Sequence, residues 1–467
     1  MKRKIIMLSF VFIFIITSGF GCKLVDKQTQ EAMKPVVLEY WHVWDSPDAF
    51  DGILAEYKKL HPFVTINYKK FRYDEYEEEL INALAEDRGP DIFSIPNTWI
   101  KKYQSKIISM PATITMAYPV TKGTFKKEVI PEMRTNKSIS LKEIKNNFVD
   151  AVYGDAVLKT ADAKTNKVED RVFGLPLYMD TLALFYNKDL FNNAGIAQPP
   201  SFWNAEFQQD VKKMTKQDTK GQIIQSGVAL GGSKNVSRYS DILSVLMMQS
   251  GAVMMDDSGQ IVFNRISDTI KQQQTAPGVE ALRFYTDFAS PAKEVYSWNK
   301  DLDDSLTMFT QGKLGMFFGY SYQLPQIRSL APKLNFGIAK LPQIEGNPQS
   351  INFANYWMET VSNKSKNADV AWDFVQFATR PEQAKLYLDA TKRPTALRSL
   401  INSQLDDENV SVFAEQVLTA KSWYKGSNAN AMETIIGEMI DSVVAGQNKI
   451  EDIINLGVQK IQQTINN

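Results

Sequence analysis

Two histidines, one cysteine and three aspartate doublets are the residues of this chain whose types could do chemistry. His42 and His61 stand nineteen residues apart, so there is no HExxH pair to hold a catalytic zinc. His61 precedes Pro62 and reads as a helix end. His42, between Trp41 and Trp44, is open to a site role or a strand-end structural one. A lone cysteine, Cys22, excludes an intrachain disulfide and any cysteine zinc cluster. Asp256-Asp257, Asp303-Asp304 and Asp406-Asp407 could in principle supply an acid and a base, but adjacent acids in polar loops read as solvated surface. No P-loop, GxGxxG or GxSxG occurs. We therefore expect no enzyme, no cofactor and no metal. Lys+Arg is 53 and Asp+Glu is 53, so the basic surplus of a nucleic-acid binder is missing.

The tryptophans carry more signal. Trp372 and Trp203 fall at helical positions and read as packing. Trp41, Trp44, Trp99, Trp298, Trp357 and Trp423 fall at strand ends or in loops, as do Tyr178, Tyr320, Tyr322, Tyr356 and Tyr424. Loop aromatics can be half-buried packing. Several at the carboxyl ends of strands would instead converge on one crevice. Flat rings with a few polar groups suit sugars, whose C–H faces stack on rings while their hydroxyls seek carboxylates and amides.

The elements that must position them form an alternating pattern. At 467 residues, 44% hydrophobic and 23% charged, the chain reads as a globular body of two or three domains, or as one large α/β body. Residues 36–41 are β-rich. Phe50, Ile53, Leu54, Tyr57 and Leu60 recur at helical spacing. Val64, Ile66 and Tyr68 alternate as a strand, Tyr76, Leu80 and Leu84 mark a second helix, and residues 91–95 form a third strand. This βαβαβ order predicts a mostly parallel sheet with ligand beyond the strands' carboxyl ends. Strands at 182–186, 315–320 and 336–339 mix with helices at 207–214, 242–249 and 279–288, and the last hundred residues are mostly helical. The region 122–167 is polar and the least legible, and the wider stretch 110–167 resists assignment.

The first segment has its own logic. Lys2-Arg3-Lys4 precedes a twelve-residue apolar run, residues 5–16, interrupted only by Ser9. That is too short to span a bilayer but suits a signal peptide. The Gly21-Cys22 junction resembles the bacterial lipoprotein box, which implies lipidation of Cys22 after removal of residues 1–21. Residues 22–35 then read as the lipidated cysteine and a tether of at most about 40 Å, holding the body outside the cell membrane or in the periplasm.

In the order and spacing of its blocks the chain resembles the extracellular solute-binding proteins of bacterial ABC sugar importers, the family of maltose-binding protein. The blocks are Tyr40-Trp41-His42-Val43-Trp44, Gly89-Pro90-Asp91-Ile92-Phe93 leading to Trp99, and Phe173-Gly174-Leu175-Pro176-Leu177-Tyr178 running on through Asp180 to Phe191. Phe309-Thr310-Gln311-Gly312-Lys313 and Ala371-Trp372-Asp373-Phe374 follow. The resemblance covers about residues 36–400. It implies an α/β, two-lobed periplasmic-binding-protein-like fold, each lobe a mostly parallel sheet flanked by helices, with a multi-strand hinge crossed near 173–178, 352–360 and 393–405. Lobe 1 would then hold 36–174 and 353–402, and lobe 2 would hold 175–352 and most of 403–467. It implies ligand contacts from Trp41, Trp44, Asp45, Asn97 and Trp99 of the first lobe and from Tyr178, Asp180, Trp298, Tyr320 and Tyr322 of the second. Asn355, Trp357, Arg393 and Trp423 come from segments that align more loosely. Asp180 is open to two readings, a turn acid at a strand start or an acceptor for paired sugar hydroxyls. The expected function is capture of a neutral carbohydrate by a monomer and its delivery to permease subunits. A surface glycan-acting enzyme and a sensory or adhesive lipoprotein are the alternatives.

Overall fold

The computed structural model describes residues 33–122, 128–161, 166–266 and 274–466; the expected signal peptide and Cys22 lie outside them. Strand β1 (Val36–His42) buries Leu38 and Tyr40 while Val37 and Glu39 face out, then sinks entirely at Trp41 and His42. Helix α1 (Asp51–Leu60) buries Ile53 and Tyr57 and ends at His61, beyond which Pro62 has no N–H to continue it. Strand β2 (Val64–Lys70) pairs parallel with β1. Helix α2 (Tyr73–Ala85) leads to β3 (Ile92–Pro96), parallel to β1 on its other side.

The stretch that resisted assignment is two antiparallel hairpins, β4 (Thr113–Lys122) with β5 (Glu128–Lys137) and β6 (Val157–Ala161) with β7 (Val168–Val172). Helix α3 (Asp150–Ala156) lies between them. The chain then crosses: Leu175 exchanges backbone hydrogen bonds of 3.1 and 2.9 Å with Glu359, and the Met179 N–H donates to Pro394 at 3.0 Å.

Strands β8 (Asp180–Thr181) and β9 (Ala183–Asn187) enter the second lobe. There helix α4 (Ala205–Met214), β10 (Lys216–Gln217), β11 (Ile223–Val228), helices α5 (Tyr239–Gln249) and α6 (Pro277–Asp287), β12 (Leu314–Gly319) and β13 (Phe336–Ala339) follow. The sheet order is β10-β11-β12-β9-β13. Only β11 and β12 pair parallel; β9 is antiparallel to both its neighbours. This departs from the expected mostly parallel sheet. The reason is topological: β9 comes in from the hinge, so it runs opposite to β12 and β13, which run back toward it.

The return is made by β14 (Asn352–Asn355), antiparallel to β8, and β15 (Trp357–Val361), antiparallel to β3. The first sheet is thus β15-β3-β1-β2. Helices α7 (Ala368–Ala378) and α8 (Pro381–Thr391) cover it. After Leu397, which bridges to Phe148, the chain passes to Phe413, whose carbonyl accepts the Thr181 hydroxyl. Strand β16 (Ala420–Lys421) joins β14 in a three-stranded hinge sheet, and helices α9 (Ala429–Val444) and α10 (Ile450–Gln463) close the second lobe. Among the described residues no helix is long and apolar enough to cross a membrane.

Candidate functional site

The loops at the carboxyl ends of β1, β3 and β12 meet the hinge strands around one cavity between the lobes, about 1140 Å³ including the space open to solvent. The first lobe contributes Trp44, Tyr73, Asn97, Trp99 and Trp357. Trp44 is still 37% exposed, stacks on Tyr73 at 5.2 Å and meets Trp357 edge-on at 5.9 Å. Trp99 lies flat on Tyr103 at 5.7 Å. Asn97 begins a single 3-10 turn directly after β3, so its amide is aimed by the strand. That amide donates to Asp155 Oδ2 at 2.9 Å.

Asp155 itself is buried on α3, behind the cavity wall. It also receives the Tyr356 hydroxyl at 2.6 Å and the Ser422 hydroxyl at 2.6 Å, and Lys425 pairs with it. One carboxylate therefore ties the first lobe, the hinge and the segment after β16.

The hinge supplies Tyr178, Asp180, Asn355 and Arg393. Arg393 stacks over Tyr178 at 4.4 Å and donates from Nε and Nη2 to Asp45 Oδ1 at 3.1 and 3.0 Å. Burial works to raise the Asp45 carboxyl, but Arg393 and the Tyr387 hydroxyl outweigh it and hold it below the usual carboxylate range. Asp180 accepts the Ser321 amide (3.1 Å) and hydroxyl (2.6 Å) and the Thr181 amide (3.0 Å). Burial pushes its pKa up to about 6 against those bonds.

The second lobe supplies Tyr322, Trp423 and the amino ends of α5 and α9. Helix α5 is buried from Ser240 to Gln249, and its first turn is where it reaches the cavity. Arg238, in the left-handed region at φ 58°, caps it and grips Asp241 through Nε–Oδ2 and Nη2–Oδ1 bonds of 2.8 and 2.9 Å. Asp241 also accepts the Tyr320 hydroxyl at 2.6 Å. Burial opposes the Arg238 charge, but Asp241 and Glu433 overrule it and push its pKa well up. Trp423 lines the wall and donates from its indole to Ser244 at 3.0 Å.

Ten of the fourteen candidates thus line the cavity: Trp44, Asn97, Trp99, Tyr178, Asp180, Tyr322, Asn355, Trp357, Arg393 and Trp423. Four do not. Trp41 packs on Phe71 at 4.4 Å beneath the loop. Asp45 lies behind Arg393. Trp298 is fully buried in the second lobe with its indole on Asn235. Tyr320 is sealed off with its hydroxyl on Asp241. Trp41 is the penultimate residue of β1 and Tyr320 directly follows β12, and both side chains turn into the core there rather than to the cavity. His42 is buried too, between Asp45 (3.8 Å) and Glu359 (3.6 Å), and His61 sits 3.2 Å from Asp373. Sequence reasoning passed over Tyr73, Arg238, Asp241, Asn430 and Glu433. Tyr73 follows the carboxyl end of β2, a readable signal. Nothing local distinguishes Glu433 from any other helix-surface acid. Among the described residues no group of three His, Cys, Asp or Glu side chains could hold a metal ion.

Residues 44–385 match the family described as bacterial extracellular solute-binding protein. The chain belongs to that family. This solute-binding protein is 22% identical over 395 residues to the galactooligosaccharide-binding protein of Bacillus subtilis, covering 84% of this chain and 80% of the relative. It is 24% identical over 370 residues to the sn-glycerol-3-phosphate-binding periplasmic protein of Yersinia enterocolitica, covering 74% and 78%. Its fold matches the cyclic α-maltosyl-1,6-maltose binding protein of Arthrobacter globiformis with a TM-score of 0.67 at 18% identity, over 92% of this chain and 99% of that one. These relatives are named as binding proteins, not enzymes.

Proposed function

We propose that this protein captures a carbohydrate in the interlobe cavity and delivers it to the permease of an ABC importer. The observation that carries the reading is the chemistry of the cavity wall. The rings of Trp44, Trp99, Trp357, Trp423 and Tyr322 line it, and both its guanidiniums are already engaged, Arg393 by Asp45 and Arg238 by Asp241. A phosphorylated solute, such as the one the Yersinia relative is named for, would want uncommitted cationic donors. A sugar wants ring faces and scattered acceptors. A thermal-shift screen of mono- and oligosaccharides tests this, because a ligand of the folded form raises its melting temperature by mass action. If glycerol phosphate stabilises the protein and no sugar does, the reading fails.

The contacting residues belong to the same proposal, as do the lobe divisions near 174, 352 and 402. So does a monomer held to the outer face of the membrane by lipid on Cys22. Replacing Cys22 with Ala and fractionating cells checks the anchor; wild-type retention with the membrane would remove it.

A further inference from the structure

The whole chain carries no net charge, but the cavity does. Three carboxyls of its wall, those of Asp180, Asp241 and Glu433, with Asp45 behind Arg393 as a fourth, surround two guanidiniums, those of Arg238 and Arg393. Three of the four acids are fully engaged. Asp45 takes Arg393 and the Tyr387 hydroxyl, Asp180 takes Ser321 and Thr181, and Asp241 takes Arg238 and the Tyr320 hydroxyl.

Glu433, one turn into α9, is different. Among the described residues no donor lies within hydrogen-bond distance of its carboxylate. Its nearest cation is Arg238 at 3.7 Å, and that guanidinium is committed to Asp241. Its side chain keeps 37% of its surface exposed toward the cavity. The walls and the like charge of Asp241 push its pKa up while Arg238 pulls against them. The cavity wall is short of positive charge at this point.

We infer that Glu433 is a specificity-determining residue and that the cavity takes a sugar bearing a primary amine. The inference rests on the carbohydrate reading above. An ammonium at Glu433 would supply the missing charge and up to three donors to a carboxylate that accepts no hydrogen bond among the described residues. A hydroxyl would fill the acceptor sites without balancing the charge, and a uronic acid or sugar phosphate would deepen the imbalance. Aromatic rings of the kind that line the same cavity accept both a sugar face and a neighbouring cation.

Calorimetric titration of the full chain with glucosamine and galactosamine oligosaccharides, their N-acetylated forms and the neutral parent sugars of equal length tests this. The amines should bind about tenfold or more tightly than either other series, the scale of a charge-assisted hydrogen bond. Glu433→Gln should bring the three series together, removing the tenfold preference for the amines. Equal or weaker binding of the amines overturns the inference, as does an amine preference that survives Glu433→Gln or N-acetylation. If neutral sugars bind and amines do not, only this inference falls; if no sugar of any series binds, the carbohydrate reading falls with it.

Discussion

Trp44 and Tyr322 face each other across the cleft, their rings 6.0 Å apart and within 16° of parallel. One follows β1 of the first lobe and the other follows β12 of the second. Tyr73 lies on the far side of Trp44 at 5.2 Å and Tyr320 on the far side of Tyr322 at 6.0 Å. Four rings therefore form one stack that bridges the two lobes, using the faces that a sugar would use.

Tyr322→Ala should loosen this bridge. Stacked pairs contribute about 0.5–1.5 kcal/mol beyond area burial, enough to shift an open–closed equilibrium several-fold. Small-angle scattering of the ligand-free variant should show a larger radius of gyration than wild type, and sugar affinity should fall by about 1–2 kcal/mol. An unchanged scattering profile would mean the stack does not hold the lobes.

Substitution of the tryptophans should separate into two kinds of effect. Trp99→Ala opens the cavity wall, so the loss should appear in sugar titration. Trp41 and Trp298 are buried away from the cavity. Their replacement by Ala should cost about 3–5 kcal/mol of stability through the void left behind, seen in urea denaturation. Binding per folded molecule should be kept. If Trp298→Ala leaves the urea midpoint unchanged, its packing role is disproved.

Asp180 gives a pH signature of unusual sign. Its folded pKa, about 6, lies above the ordinary 3.8. The native state therefore holds its proton more tightly than the unfolded chain, and stability falls as pH rises from about 4 to about 6. The loss is at most about 3 kcal/mol. Asp180→Asn keeps an acceptor for the Ser321 and Thr181 amides and removes the titration. Its stability should be flat across that window and no lower than wild type at pH 7. A variant that tracks the wild-type curve would sink the assignment.

Asp155→Ala strands Lys425 and frees Asn97, Tyr356 and Ser422 together. Removing one partner of a buried pair costs about 3–5 kcal/mol. Asn97 and Ser422 both line the cavity, so sugar affinity should also drop. Asp155→Ala with Lys425→Met should be less damaging than the sum of the two single changes. Additive losses in urea denaturation would show that the two side chains do not act as a pair.

The sequence by itself determined the α/β class, the first βαβαβ unit and the family, because those rest on local periodicity and on the order of blocks such as Tyr40–Trp44 and Phe173–Phe191. It also marked strand ends as the source of cavity residues, which brings in Trp44, Asn97 and Trp99. Only the tertiary structure decided which aromatic at such an end faces the cavity. Trp44 lies past the end of β1 and Tyr320 and Tyr322 both lie past the end of β12, so strand alternation does not reach them, and whether Trp41 or Trp44, Tyr320 or Tyr322 turns outward depends on what packs beneath. The antiparallel entry of β9 likewise follows from where the hinge lies. Charge pairing is the most non-local of all: Asp45 meets Arg393 across 348 positions of chain, while Glu433 has only the longer 3.7 Å approach of Arg238, a guanidinium already bound to Asp241, and no window of sequence holds both ends of that comparison.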